Sequence, residues 1–138
     1  MSLYRKLGIA FVFSWFFFGG LGHFVAADFF TSIVPPYIPY PRAVVYISGV
    51  FELLGAFGIL IPGLRRLAGA CLVLLVFCVT PANVHMSLHP EQFAQLFPEA
   101  VRPYESIILT LRLVIQVGLV ATIIGSTVLP EKRRAALA

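Results

Sequence analysis

Residues 42–63 read RAVVYISGVFELLGAFGILIPG, and the reading of this stretch decides the fold. Between residues 43 and 61 the only acidic or basic side chain is Glu52, and Pro62-Gly63 then supplies a helix-ending signal. About 20 residues at 1.5 Å rise cross roughly 30 Å of bilayer hydrocarbon, so the run is expected to be a membrane-spanning helix. Three more apolar blocks accompany it, at roughly 7–27, 67–82 and 104–129. The first and last are long enough to span. The third is short and is expected to continue through Pro81 toward Met86. The expected fold is all-α: a four-helix transmembrane bundle, up-down-up-down, with helices at about 5–27, 42–61, 65–86 and 104–129. Short connections leave room for one domain over residues 1–138 and no second one.

Composition points the same way. The chain is 59% hydrophobic and 12% charged, with mean hydropathy +0.94, whereas soluble domains carry about 25% charged residues. A net charge of +4 could suggest a nucleic-acid partner, but the positions of the charges speak against one. Arg5, Lys6, Arg65, Arg66, Lys132, Arg133 and Arg134 all fall on one side of the alternating helices. The opposite loops hold only Arg42 and Arg102, with Asp28, Glu91 and Glu99. The positive-inside rule then predicts cytoplasmic termini and a multi-pass protein of a bacterial cytoplasmic (inner) membrane, partnered by the lipid bilayer and not by nucleic acid.

The first block resembles a signal peptide in its basic start and its Val25-Ala26-Ala27 stretch before Asp28. Its length suits a retained helix, which is the expectation here. Its phenylalanines suit lipid, and Gly19, Gly20 and Gly22 allow close helix approach. Residues 27–33 are expected to continue as an interfacial turn. The four prolines of Val34-Pro35-Pro36-Tyr37-Ile38-Pro39-Tyr40-Pro41 predict a rigid, extended outer loop. The run 91–97 between Pro90 and Pro98 predicts a short amphipathic surface helix. Helix four is expected to begin after Pro103 and to end before Pro130, ahead of a mobile tail. Cys71 and Cys78 lie seven apart on one helix, about 10 Å along its axis. That is too far for a disulfide, and both read as small packing residues.

Ionisable residues inside spans are costly and usually mark function. Glu52 lies ten residues in from Arg42, and Arg112 nine beyond Pro103, so both sit about 14–15 Å below the outer surface. Equal depth predicts an intramembrane ion pair, direct or through water. Ser48, Gly49, Gly55 and Ala56 flank Glu52 at helical spacing, and Gly19, Gly20, Ala26 and Ala27 flank His23. Small neighbours turn both polar groups toward the bundle interior. Glu105, Arg112 and Gln116 share one stripe of the last helix, while Asn83 and His85 close the outer end of the third. An outward-facing pocket lined by His23, Glu52, Asn83, His85, Glu105, Arg112 and Gln116 follows. The alternative is that these side chains serve only as interhelical hydrogen bonds. No metal-ligand spacing is present, and His89 reads as a solvated loop residue.

Six motifs carry a resemblance: Gly22-His23-Phe24, Val34-Pro35-Pro36-Tyr37-Ile38-Pro39, Ser48-Gly49-Val50-Phe51-Glu52-Leu53, Ile61-Pro62-Gly63-Leu64-Arg65-Arg66-Leu67-Ala68, Pro81-Ala82-Asn83-Val84-His85-Met86 and Leu111-Arg112-Leu113-Val114-Ile115-Gln116. In this order, over about residues 8–120, the chain resembles the DoxX-like family of small bacterial integral membrane proteins. It departs at Val114-Ile115, where that family often has proline then leucine, so a straighter last helix is expected. The resemblance implies a four-helix membrane bundle. It also implies a wider group that includes quinone-linked thiosulfate-oxidation subunits, partners in oxidant defence, and accessory proteins for membrane-protein assembly. The lack of a Cys-x-x-Cys pair argues against thiol-redox chemistry in this member. Three functions are carried forward. The first is an accessory protein binding a small molecule or lipid. The second is a membrane oxidoreductase subunit with quinone as cofactor. The third is a small proton-coupled transporter, which would need a homodimer or another membrane-protein partner.

Overall fold

The computed structural model describes residues 1–129; Lys132, Arg133, Arg134 and the expected tail lie outside the described residues. Five helices follow one another: α1 (Leu3–Val25), α2 (Ala27–Ser32), α3 (Pro41–Leu60), α4 (Arg65–Leu88) and α5 (Glu105–Ile123), and α5 runs on into a π-helical turn at Ile124–Val128. All the regular structure among the described residues is helical. Each of the four long helices is long and apolar enough to cross a membrane. Together they form an up-down-up-down four-helix bundle. Apolar side chains such as Phe18, Leu54, Phe77 and Val117 face outward, which suits lipid and would be costly in water.

Local sequence sets the ends. Pro41 occupies the first turn of α3, entered through Tyr40 in the left-handed region at φ 53°, and its missing N–H is one the first turn leaves unpaired anyway. At the other end, the Arg65 guanidinium donates to the Ile59 carbonyl at 2.7 Å and the Leu60 carbonyl at 3.2 Å. A cation thus satisfies the last carbonyls of α3, where the helix dipole favours it. Helix α4 passes through Pro81 without stopping, as expected from the sequence. Membrane helices tolerate such a proline because neighbouring side chains re-satisfy the backbone; here Thr80 donates to the Val76 carbonyl at 2.8 Å.

Helix order around the bundle is α1, α3, α4, α5, with α1 closing the ring against α5 and its π-turn. Helices α3 and α5 therefore stand on a diagonal. Lipid gives no hydrophobic drive to helix association, so close packing must hold the helices together. Helix α1 meets α3 at Gly20 and Gly49, each with backbone of the other helix about 3 Å from where a Cβ would stand. Toward the end bearing the Pro62-Gly63 turn, termed inner, Ile9, Val12, Phe16, Ala56, Ile59, Leu72, Val76, Leu119 and Ile123 form a continuous core. A second cluster, Ile33, Met86, Phe93 and Leu109, lies under the outer loops.

Those loops differ from their sequence expectation. The proline-rich segment is not extended: Ile38 N–H bonds the Pro35 carbonyl at 3.0 Å in a turn, and Pro35 is fully buried. Four prolines forbid a helix but not a folded turn, and burial of Pro35 and Ile33 favours folding back onto the bundle. Residues 91–97 form no amphipathic α-helix. Two 3₁₀ turns, Pro90–Gln92 and Ala94–Leu96, let Phe93 reach the outer cluster. Cys71 and Cys78 are free and exposed, not packed in the core.

Candidate functional site

Between the two apolar clusters the bundle encloses a cavity of about 530 Å³. This is within the range of small-molecule sites, which combine mostly apolar walls with a few placed polar groups. Five of the seven residues named from sequence line it: His23, Glu52, Asn83, Arg112 and Gln116. Helical phase explains this. Asn83 continues the inward stripe of Leu72 and Val76 on α4, while Arg112 and Gln116 share the inward stripe of Leu119 on α5.

The expected direct Glu52–Arg112 pair is corrected. No oxygen of Glu52 lies within 4 Å of an Arg112 nitrogen, and the acid instead has its Oε1 3.8 Å from His23 Nε2. The cause is the helix order: α3 and α5 are diagonal, with the cavity between them. Glu52 reaches toward α1 because Gly19 leaves room. A Cβ at Gly19 would stand 2.8 Å from Glu52 Oε2.

His85 and Glu105 also do not line the cavity. His85 is two residues from Asn83, so about 200° around the helix, and it packs beside Tyr37, His89 and Phe93 with centroid distances of 6.5, 4.9 and 5.9 Å. Glu105 sits in the first turn of α5, where a carboxylate suits the dipole, with Oε2 buried and unpaired. Among the described residues no group of three or more His, Cys, Asp or Glu side chains could hold a metal ion.

His23 is held in one orientation. Its Nδ1 lies 3.0 Å from the Val45 carbonyl and 2.9 Å from Ser48 Oγ, while Ser48 donates to the same carbonyl at 2.9 Å. A carbonyl only accepts, so the tautomer with its hydrogen on Nδ1 satisfies Val45, while the other lets Nδ1 accept from Ser48 Oγ. The Phe30 ring packs on the imidazole at 4.2 Å between centroids. Across the cavity Asn83 Nδ2 donates to Gln116 Oε1, and Gln116 Nε2 donates to Thr80 Oγ1 at 2.5 Å. These amides thus also join α4 to α5. Among the described residues Arg112 bonds only the Met86 thioether, at 3.7 Å.

Sequence reading missed Ser48 as a polar partner and Trp15 as a wall residue. It also missed the apolar roof of Phe30, Ile33, Val34, Pro35 and Ile38. The hydroxyl of Ser48, one turn before Glu52, was a readable signal; nothing local marks the roof. The pocket is therefore covered at its outer end, not open outward. Its exposed wall residues lie on two side seams: Trp15, Leu111 and Ile115 between α1 and α5, and Val44 and Cys78 between α3 and α4.

Fold and cavity together define a membrane-spanning helical bundle with an internal, charge-bearing pocket. The family model described as Domain of unknown function (DUF8561) matches residues 13–136, and the chain belongs to that family. No curated protein and no solved structure matches the chain.

Proposed function

We propose that this protein is an accessory, ligand-binding membrane protein whose cavity holds a small molecule or lipid. One observation carries the reading: about 530 Å³ of space in the middle of the bundle, walled by apolar side chains, with Glu52 and Arg112 on opposite sides and no direct contact between them. A purely structural polar network would bring its charges together, since each is costly alone. An occupant between them supplies the missing partner. Liquid chromatography and mass spectrometry of an organic extract of the purified protein tests this. A stoichiometric amphiphile in the wild type that is depleted in Glu52→Gln or in Arg112→Met is expected; unchanged retention in both variants would remove the charged groups from function.

The seating includes a bacterial cytoplasmic membrane with both termini inside, supported by Arg5, Lys6, Arg65 and Arg66 at the inner end. Kinship to DoxX-like proteins belongs to the same proposal and rests on the six motifs. A second reading, a quinone-linked oxidoreductase subunit, draws support from the His23–Glu52 pair, 3.8 Å apart beside the cavity, which could pass a proton to a bound head group. Saturable binding of a quinone analogue, lost in His23→Phe, would favour it over the accessory role.

A further inference from the structure

The charges around the cavity state what kind of head group fits. Glu52 Oε1 is turned toward His23 Nε2, 3.8 Å away on the α1 side of the cavity, and no oxygen of Glu52 lies within 4 Å of an Arg112 nitrogen. Of the remaining lining residues only Cys78 and Arg112 are ionisable, and Cys78 is a free thiol. Arg112 is then a cavity cation with no carboxylate within 4 Å among the described residues, where its hydrogen-bond neighbour is the Met86 thioether. A guanidinium in hydrocarbon requires an anion or hydrogen-bond acceptors, and its planar fork fits carboxylate and phosphate oxygens bidentately.

The walls state where the rest of the ligand goes. The outer end is roofed by apolar side chains, with Pro35 fully buried. Helices α1 and α5 touch at the inner end, where Gly8 meets Ser126 and Arg5 Nε donates to the Ser126 carbonyl at 3.1 Å. Farther out, Trp15, Leu111 and Ile115 line the cavity while remaining 45%, 52% and 45% exposed. They are apolar on both counts, facing the cavity on one side and lipid on the other.

We infer that the cavity takes a single-chain amphiphile with an anionic head, a carboxylate or phosphate monoester, which seats on Arg112 while its chain leaves sideways into the bilayer between α1 and α5. This rests on the ligand-binding reading and names its ligand class and route.

Trp15 is the only tryptophan and stands in the exit seam, so its fluorescence reports a brominated chain directly. The protein in nanodiscs of zwitterionic lipid is titrated with dibrominated stearate, the matching dibrominated alkyl phosphate and the matching dibrominated alcohol. Saturable quenching by one or both anions, at least about tenfold tighter than by the alcohol, is expected, and the tighter anion identifies the head group. Arg112→Met should erase the preference while leaving alcohol binding in place, and Arg112→Lys should retain part of it. Equal affinity for anions and alcohol in the wild type would overturn the inference but leave ligand binding standing. No saturable quenching by any of the three would overturn both. The wild-type comparison decides even if Arg112→Met fails to fold.

Discussion

The inner half of the bundle is filled and the outer half is hollow, although the same four helices build both. Below the level of Glu52, Ile9, Val12, Ile59, Leu72 and Ile123 interlock, with Val12, Ile59 and Ile123 fully buried. From that level outward the helices part around about 530 Å³ lined with His23, Glu52, Asn83 and Arg112. Gly55 lies against Leu72 and Gly69 against Thr127 in the inner half, which brings helices into contact. In the outer half Gly19 yields its space to the Glu52 carboxylate instead. The same residue type thus serves packing at one level and a polar site at the other. The contrast suggests a division of labour in which the inner half supplies stability and the outer half accepts the cost of a site.

Four substitutions can break or sharpen that contrast. Leu72→Ala deletes a core side chain that is 1% exposed and should lower stability by about 2–5 kcal/mol, read by thermal unfolding in lipid-like micelles. A loss near zero would mean the inner core is not what holds the bundle. Gly49→Ala, at the boundary, places a Cβ 2.7 Å from His23 Cβ and 3.1 Å from the Gly20 carbonyl oxygen. Separation of α1 from α3 should cost about 1–3 kcal/mol and tilt His23, weakening ligand retention as well. Asn83→Leu removes the amide that donates to Gln116. Interhelical hydrogen bonds in membranes average about 0.6 kcal/mol, so a change far above that would mark this network as a main support of the fold. Ala82→Leu adds volume to the cavity wall and should change stability least, by under about 1 kcal/mol, while abolishing ligand retention. Destabilisation as large as that of Leu72→Ala would show that the outer half is not hollow.

Much of this architecture was legible in residue order. Spans follow from apolar run length, and the passage of α4 through Pro81 follows from the shortness of the block before it. That Glu52 and Arg112 line one cavity was readable too, because small neighbours and helical phase turn both inward. Their separation was not, because nothing in the chain says which helices are neighbours and which are diagonal. His85 was grouped with Asn83 by proximity in sequence, whereas helical phase sends it to the outer aromatic cluster. The roof formed by Val34, Pro35 and Ile38 was hidden for another reason. Prolines restrict φ without fixing where a loop folds, and burial against Ile33 and Phe30 decides it.

The cavity is hollow, on this reading, because a ligand occupies it. Native mass spectrometry of the protein released directly from its own membrane is the most direct test. One amphiphile bound per chain is expected in the wild type and none in Ala82→Leu, with both proteins folded. A wild-type spectrum showing only the bare chain, or an identical adduct in both proteins, would contradict it.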